Sequence, residues 1–187
     1  MIDFPIPVLG LCAFSGTGKT TLLAKVLPLL NERGLRVGVV KHAHHQFEID
    51  HEGRDSYLLR KAGASQIAIA SQTRRAYIEE LPSEEKQPEL SDALALLKPG
   101  NIDLVISEGF KLAPIPKIEL HRAGQGNPLM CEQDLHIFAI AVDEKLPLSR
   151  NIPQLDLNDV ESFTQFIVDW FDSVSKLRAK GAELNQP

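Results

Sequence analysis

The segment Phe14-Ser15-Gly16-Thr17-Gly18-Lys19-Thr20-Thr21 leaves this chain few ways to fold. An apolar run from Pro7 to Ala13 leads into it and a helix-like run from Leu22 to Leu30 leads out. Strand, tight glycine turn and helix in that order form a P-loop, in which backbone N–H groups and a helix N-terminus face an anion. Gly16 and Gly18 permit the positive φ that such a turn needs. The N–H groups over Ser15, Gly16, Thr17, Gly18, Lys19, Thr20 and Thr21 would cradle phosphates. Lys19 would reach the β- and γ-phosphates, and the Thr20 hydroxyl would ligate Mg²⁺. The pattern G-x-x-x-x-G-K-[ST] asks for glycine at position 13, where this chain has Ala13. The loop keeps its two inner glycines, so the phosphate-binding physics is retained.

The remaining pattern is strands alternating with helices. Val8 to Ala13 predicts a strand and Lys19 to Arg33 a helix, closed by Gly34 and bent or tightened at Pro28. Leu35 to Val40 reads as a strand buried on both faces. Phe47 to Arg54 is polar enough for an exposed loop, and Ser56 to Ala62 for a short helix stopped at Gly63. Gln66–Ala70 and Ala76–Glu79 are joined by too few residues for a parallel crossover, which predicts an antiparallel hairpin. Residues 81–87 read as an acidic surface connection and Pro88–Lys98 as a helix. Ile102–Ser107, the alternating Lys117–Leu120 and His136–Val142 read as further strands, with a long polar loop over 123–134. The last helix takes Asn158 as N-cap, and Val160, Phe163, Ile167, Trp170, Phe171 and Val174 form its core face. Residues 1–174 are expected to form one domain, and 175–187 a polar, flexible tail.

A formal net charge of −5 argues against a nucleic-acid backbone as the main partner. Two distant cysteines make no disulfide framework, and no window holds ~20 consecutive apolar residues. With no leader pattern at the N-terminus either, the expectation is a cytoplasmic protein.

In a parallel sheet, ligands gather at the carboxyl ends of the strands. Those ends carry Lys19 and Thr20, Lys41 and His42, Glu108, and Asp143. Glu108 is the candidate carboxylate for Mg²⁺ or its water shell. Asp103 opens the same strand and, at about 3.3 Å per residue, lies roughly 16 Å from Glu108, too far to share that role. Lys41 is placed to meet the γ-phosphate or a second substrate's phosphate. His42, His44 and His45 match no specific zinc spacing, so a pH-sensitive or phosphate-contacting loop fits them better. Asp50, with Asp55, would assist Mg²⁺ or a nucleophilic water if its loop acts as a switch. Asp143 stands where a carboxylate would read guanine, but the string Ala141-Val142-Asp143-Glu144 does not demonstrate a guanine site.

Four strings occur in order: Phe14 to Leu22, Val40-Lys41-His42-Ala43-His44-His45, Gly53-Arg54-Asp55-Ser56-Tyr57 with Leu59 to Ala64, and Glu108-Gly109-Phe110-Lys111. Together they resemble the MobB family of adapter proteins in molybdopterin-guanine dinucleotide biosynthesis, over about residues 7 to 172. The resemblance implies a GTP-binding protein with weak GTPase activity that forms a homodimer. It also implies cooperation with the guanylyltransferase MobA, which joins GMP to molybdopterin. The expected fold is a three-layer α/β P-loop NTPase fold: a mostly parallel central sheet, an antiparallel hairpin, and helices on both faces. The alternative is a small-molecule kinase, with Lys41 and the histidine loop at the acceptor site and Arg74, Arg75 and Arg122 as lid arginines.

Overall fold

A computed structural model of the chain describes residues 2, 4–43, 47–81 and 87–184, the side chains of 181–184 excepted. It divides into two compact units, residues 43–87 and the remainder. The larger unit is built on six parallel strands: β1 (Val8–Cys12), β2 (Val37–Lys41), β5 (Leu104–Glu108), β6 (Lys117–His121), β7 (Ile137–Val142) and β8 (Gln154–Asp156). Their spatial order is β2-β5-β1-β6-β7-β8. The smaller unit holds helix α2 (Asp55–Lys61) and the antiparallel pair β3 (Gln66–Ala70) and β4 (Arg75–Glu79), which is a separate two-stranded sheet.

The strands alternate their side chains between two faces. On one face Leu9, Leu11, Leu104, Ile106, Ile118 and Leu120 meet two helices, α1 (Lys19–Glu32) and α4 (Val160–Leu184). Helix α1 offers Leu22, Leu23, Val26 and Leu30, and α4 offers Phe163 and Ile167, each set at helical spacing. Helix α1 runs on through Pro28, and Gly34 closes it at φ 82° with its N–H donating to the Asn31 carbonyl. On the opposite face α3 (Leu90–Ala95) covers only Val8, Val40, Val105 and Ile115. Loops cover the rest.

Those loops explain two buried charges on β6. Lys117 is 1% exposed and Glu119 is fully buried. The Lys117 ammonium donates to the carbonyls of Lys111 (2.7 Å) and Ala113 (2.9 Å) and pairs with Asp134. Glu119 accepts the N–H groups of Met130 (3.0 Å) and Cys131 (2.7 Å). A loop laid on a sheet has no ladder partners, so its polar backbone groups need side chains. These two charges supply them.

Several sequence expectations need correction. β2 is an edge strand whose Val40 packs under α3 while Val39, on the opposite face, is exposed. Asp92 accepts the Glu89 N–H and fixes the start of α3 at Leu90, not Pro88. The helix stops at Ala95, because Lys98 is extended ahead of Pro99. Asp159, not Asn158, caps α4, accepting the Ser162 N–H at 3.0 Å. Helix α4 continues to Leu184, through the stretch expected as a tail. β8 has no counterpart in the sequence reading. The loop expected to be exposed over 47–54 contains the buried Asp50.

Asp103 binds the Arg36 guanidinium and accepts the Arg36 backbone N–H, which tie the starts of β5 and β2. These bonds lower its pKa to about 2. A depressed carboxylate pKa contributes stability above the unfolded value of about 3.9 and loses it as pH falls toward 2. Asp103→Asn should therefore lower stability at pH 7, while the loss of stability between pH 4 and 2 becomes shallower. Urea unfolding across that pH range measures both effects.

Candidate functional site

The P-loop follows β1 directly. Gly16 (φ 80°) and Gly18 (φ 100°) take the left-handed conformation that turns the chain into α1, with Gly18 as the helix N-cap. Lys19 folds back over the loop, its ammonium donating to the carbonyls of Ala13 (3.2 Å) and Phe14 (3.1 Å). Burial pushes the Lys19 pKa below that of a free lysine. Glu108 opposes that shift, while Lys111 and Lys41 add to it.

Lys41, Glu108 and Leu11 are level across β2, β5 and β1. This register brings three of the expected residues together. The Thr20 hydroxyl donates to Glu108 Oε1 at 3.2 Å, and Lys41 Nζ lies 3.8 Å from the same oxygen. A hydroxyl beside a carboxylate is a hard-oxygen pair that suits Mg²⁺, whose other positions go to water and phosphate. Just beyond, Gly109 sits at φ 93°. A Cβ there would lie 3.1 Å from His42 Cβ and 3.3 Å from the His42 carbonyl.

The other side of the loop is held by the segment after β6. Arg122 donates to the Thr17 carbonyl (3.0 Å), and the Thr17 hydroxyl donates to Phe14 O (2.9 Å), with Gln125 Oε1 3.2 Å away. Asp143 accepts the Ala123 N–H (3.0 Å) and lies 3.5 Å from Arg122. The Ala123 bond is the main reason its pKa lies below the usual carboxylate value. Asp143 thus holds the turn that holds the P-loop, and the lid role considered for Arg122 gives way to a supporting one. A cleft of about 420 Å³ opens beside Gly16–Gly18, walled by Thr21, Lys25, Arg122, Leu157 and Asn158.

Asp50 belongs to the 43–87 unit, where it pairs with Arg60 at 2.7 Å. Arg60 also binds Glu80 (3.0 Å) and Glu48. His44 and His45 lie outside the described residues, as do residues 82–86 of the expected acidic connection. Among the described residues no group of three or more His, Cys, Asp or Glu side chains could hold a metal. Nor is any described helix long and apolar enough to cross a membrane.

Sequence reasoning missed Gln125, the Leu157–Asn158 wall and the position of Lys111. β8, which precedes that wall, is three residues long and carries no strand pattern. Lys111 was visible only as part of a string, and its ammonium lies 4.7 Å from the centre of the Phe14 ring.

A parallel α/β sheet with this loop at the carboxyl end of β1 defines a P-loop NTPase-like protein. Comparison narrows the class. A family profile, molybdopterin guanine dinucleotide synthesis protein B (MobB), matches residues 8–143. The molybdopterin-guanine dinucleotide biosynthesis adapter protein of Escherichia coli (strain K12) is 46% identical over 166 residues, covering 88% of this chain and 93% of that protein. The Haemophilus influenzae adapter protein is 42% identical over 166 residues, with coverages of 88% and 89%. A crystal structure of molybdopterin-guanine biosynthesis protein B superposes with a TM-score of 0.65 at 30% identity, covering 87% of this chain and 99% of that one. The chain belongs to the MobB family of molybdopterin-guanine dinucleotide biosynthesis adapter proteins.

Gly109→Ala should cost about 1–3 kcal/mol, since alanine is strained at φ 93° and crowds His42. Thermal or urea unfolding measures the loss. A variant as stable as the parent would show that the turn can relax.

Proposed function

We propose that this chain is a GTP-binding adapter with weak GTPase activity, which works with the guanylyltransferase MobA when GMP is joined to molybdopterin. The observation that carries the reading is the Thr20–Glu108 contact beneath a fully formed P-loop. It sets a metal-binding oxygen pair beside a phosphate cradle. In this reading the N–H groups over Ser15–Thr21 bind the phosphates, and Lys19 moves from the loop carbonyls onto the β- and γ-oxygens. Thr20 and Glu108 hold Mg²⁺, which when bound neutralises phosphate charge. Lys41 adds positive charge across from Glu108. The cleft walled by Lys25, Arg122 and Asn158 takes the nucleoside, with Asp143 fixing Arg122 at its edge. Turnover is slow, because no described residue has been placed as an arginine finger or water-orienting glutamine, groups that supply large factors in GTP hydrolysis.

Lys19→Ala should weaken Mg-GTP binding roughly 100-fold, as expected for loss of a charge-assisted phosphate contact together with its point charge. Calorimetry measures it. The same variant should fail to support GMP attachment in a reconstituted reaction with MobA and molybdopterin. Tight ATP binding without GTP binding would overturn the proposal.

A homodimer is part of the same proposal. In the 43–87 unit Asp50 is the only described residue that is buried. Phe47, Ile49, Leu58, Leu59, Tyr77 and Leu81 are all exposed. A two-stranded sheet without a core is marginal in water, so a second copy is the natural cover. Tyr77→Asp should shift the protein toward monomer in sedimentation velocity without changing the melting of the larger unit. An unchanged sedimentation coefficient would remove Tyr77 from the interface.

A further inference from the structure

We infer that Lys111 is a second phosphate-contacting cation at the P-loop, one that distinguishes a nucleoside triphosphate from a diphosphate. The inference rests on the nucleotide reading above and names a residue that reading does not use.

Three observations converge on it. The first is position. Lys19, which reaches β- and γ-phosphates in a P-loop, is held against the Ala13 and Phe14 carbonyls, so the terminal phosphate belongs at that end of the loop. The Lys111 ammonium lies at the same end, 4.7 Å from the Phe14 ring centre. Its electrostatic field already reaches Lys19 and contributes to lowering that pKa.

The second is anchoring. Lys111 is half-buried, and its backbone carbonyl accepts a 2.7 Å hydrogen bond from the buried Lys117 ammonium. Lys117 also binds Ala113 O and Asp134, and Ile115 N–H closes a turn onto Ala113 O at 2.9 Å. The stem of Lys111 therefore leaves a fixed backbone, while only the side chain need move. A cation leaving an aromatic face gives up less than a charge-assisted phosphate contact returns.

The third is charge balance. Lys41 and Lys111 both act on Lys19 with like charge, Glu108 is the carboxylate that offsets them there, and Lys41 lies 3.8 Å from it, in a chain whose formal net charge is −5. Like charges repel, so a cluster of this kind is favoured only when an anion occupies it. One phosphate is already matched by Lys19 and the loop N–H groups. The excess positive charge at the Phe14 end suits an additional phosphate.

The test uses the full chain with Mg²⁺ and calorimetric affinities for a non-hydrolysable GTP analogue and for GDP. Lys111→Met keeps an unbranched stem on Phe14 and removes the charge. It should weaken the triphosphate about tenfold more than the diphosphate, while the melting temperature stays that of the parent. Lys111→Arg should retain most of the parent's preference for the triphosphate. A triphosphate-to-diphosphate ratio unchanged within twofold in Lys111→Met overturns the inference and leaves the nucleotide reading standing. If the parent binds neither nucleotide, the nucleotide reading fails and Lys111 loses its role with it.

Discussion

The buried ammonium of Lys117 is the contact on which one face of this protein depends. An unpaired charge cannot remain in an apolar interior; Lys117 is buried because two carbonyls and one carboxylate surround its ammonium. Glu119, two residues on, is buried in the same way against two N–H groups. Each charge replaces part of the hydrogen bonding that a covering helix would have satisfied internally. Irregular segments can therefore lie against β6 without stranding their backbone polar groups. Gly10 shows how tight the arrangement is, since a Cβ there would fall 2.5 Å from Lys117 Cγ.

This arrangement connects the core to the candidate site. Segment 110–116 is fastened by Lys117 and carries Lys111 to Phe14. On the far side of the P-loop, Asp143 fastens Ala123 and Arg122, and Arg122 fastens Thr17. The loop is thus braced from both sides by segments that end or follow buried strands. In the proposed nucleotide reading, a phosphate cradle gains from such bracing, because its N–H groups need no reordering when the anion arrives. The two cysteines sit in this packed region as ordinary thiols. Burial, with help from Glu119, pushes both up to about 12, so neither is a ready thiolate.

The 43–87 unit follows different physics. Its described residues enclose one buried carboxylate and leave many large apolar side chains exposed. Arg60, with Asp50, Glu48 and Glu80, gives it a charged centre in place of an apolar one. Asp50 looked in sequence like a member of a polar switch loop. Its main partner is Arg60, five residues beyond the start of α2, and no spacing rule announces that pair.

By itself the sequence determined the local elements whose physics is local. Gly16 and Gly18 need positive φ, apolar strands and helices carry their own periods, and a five-residue link forces a hairpin. The P-loop, the parallel class of the sheet and the meeting of Thr20 with Glu108 were legible on those grounds, the last because strand ends share one edge. What only the tertiary structure decided are the matters set by distant neighbours. They include the exposure of β2 at an edge, the burial of Lys117 and Glu119 rather than their solvation, and the engagement of Asp143 with a turn. Lys111 comes to Phe14 the same way. In each case the partner lies across a strand or a loop, and the free energy that selects it comes from burial and desolvation. Those terms depend on what surrounds a residue in space, which the order of residues along the chain does not specify.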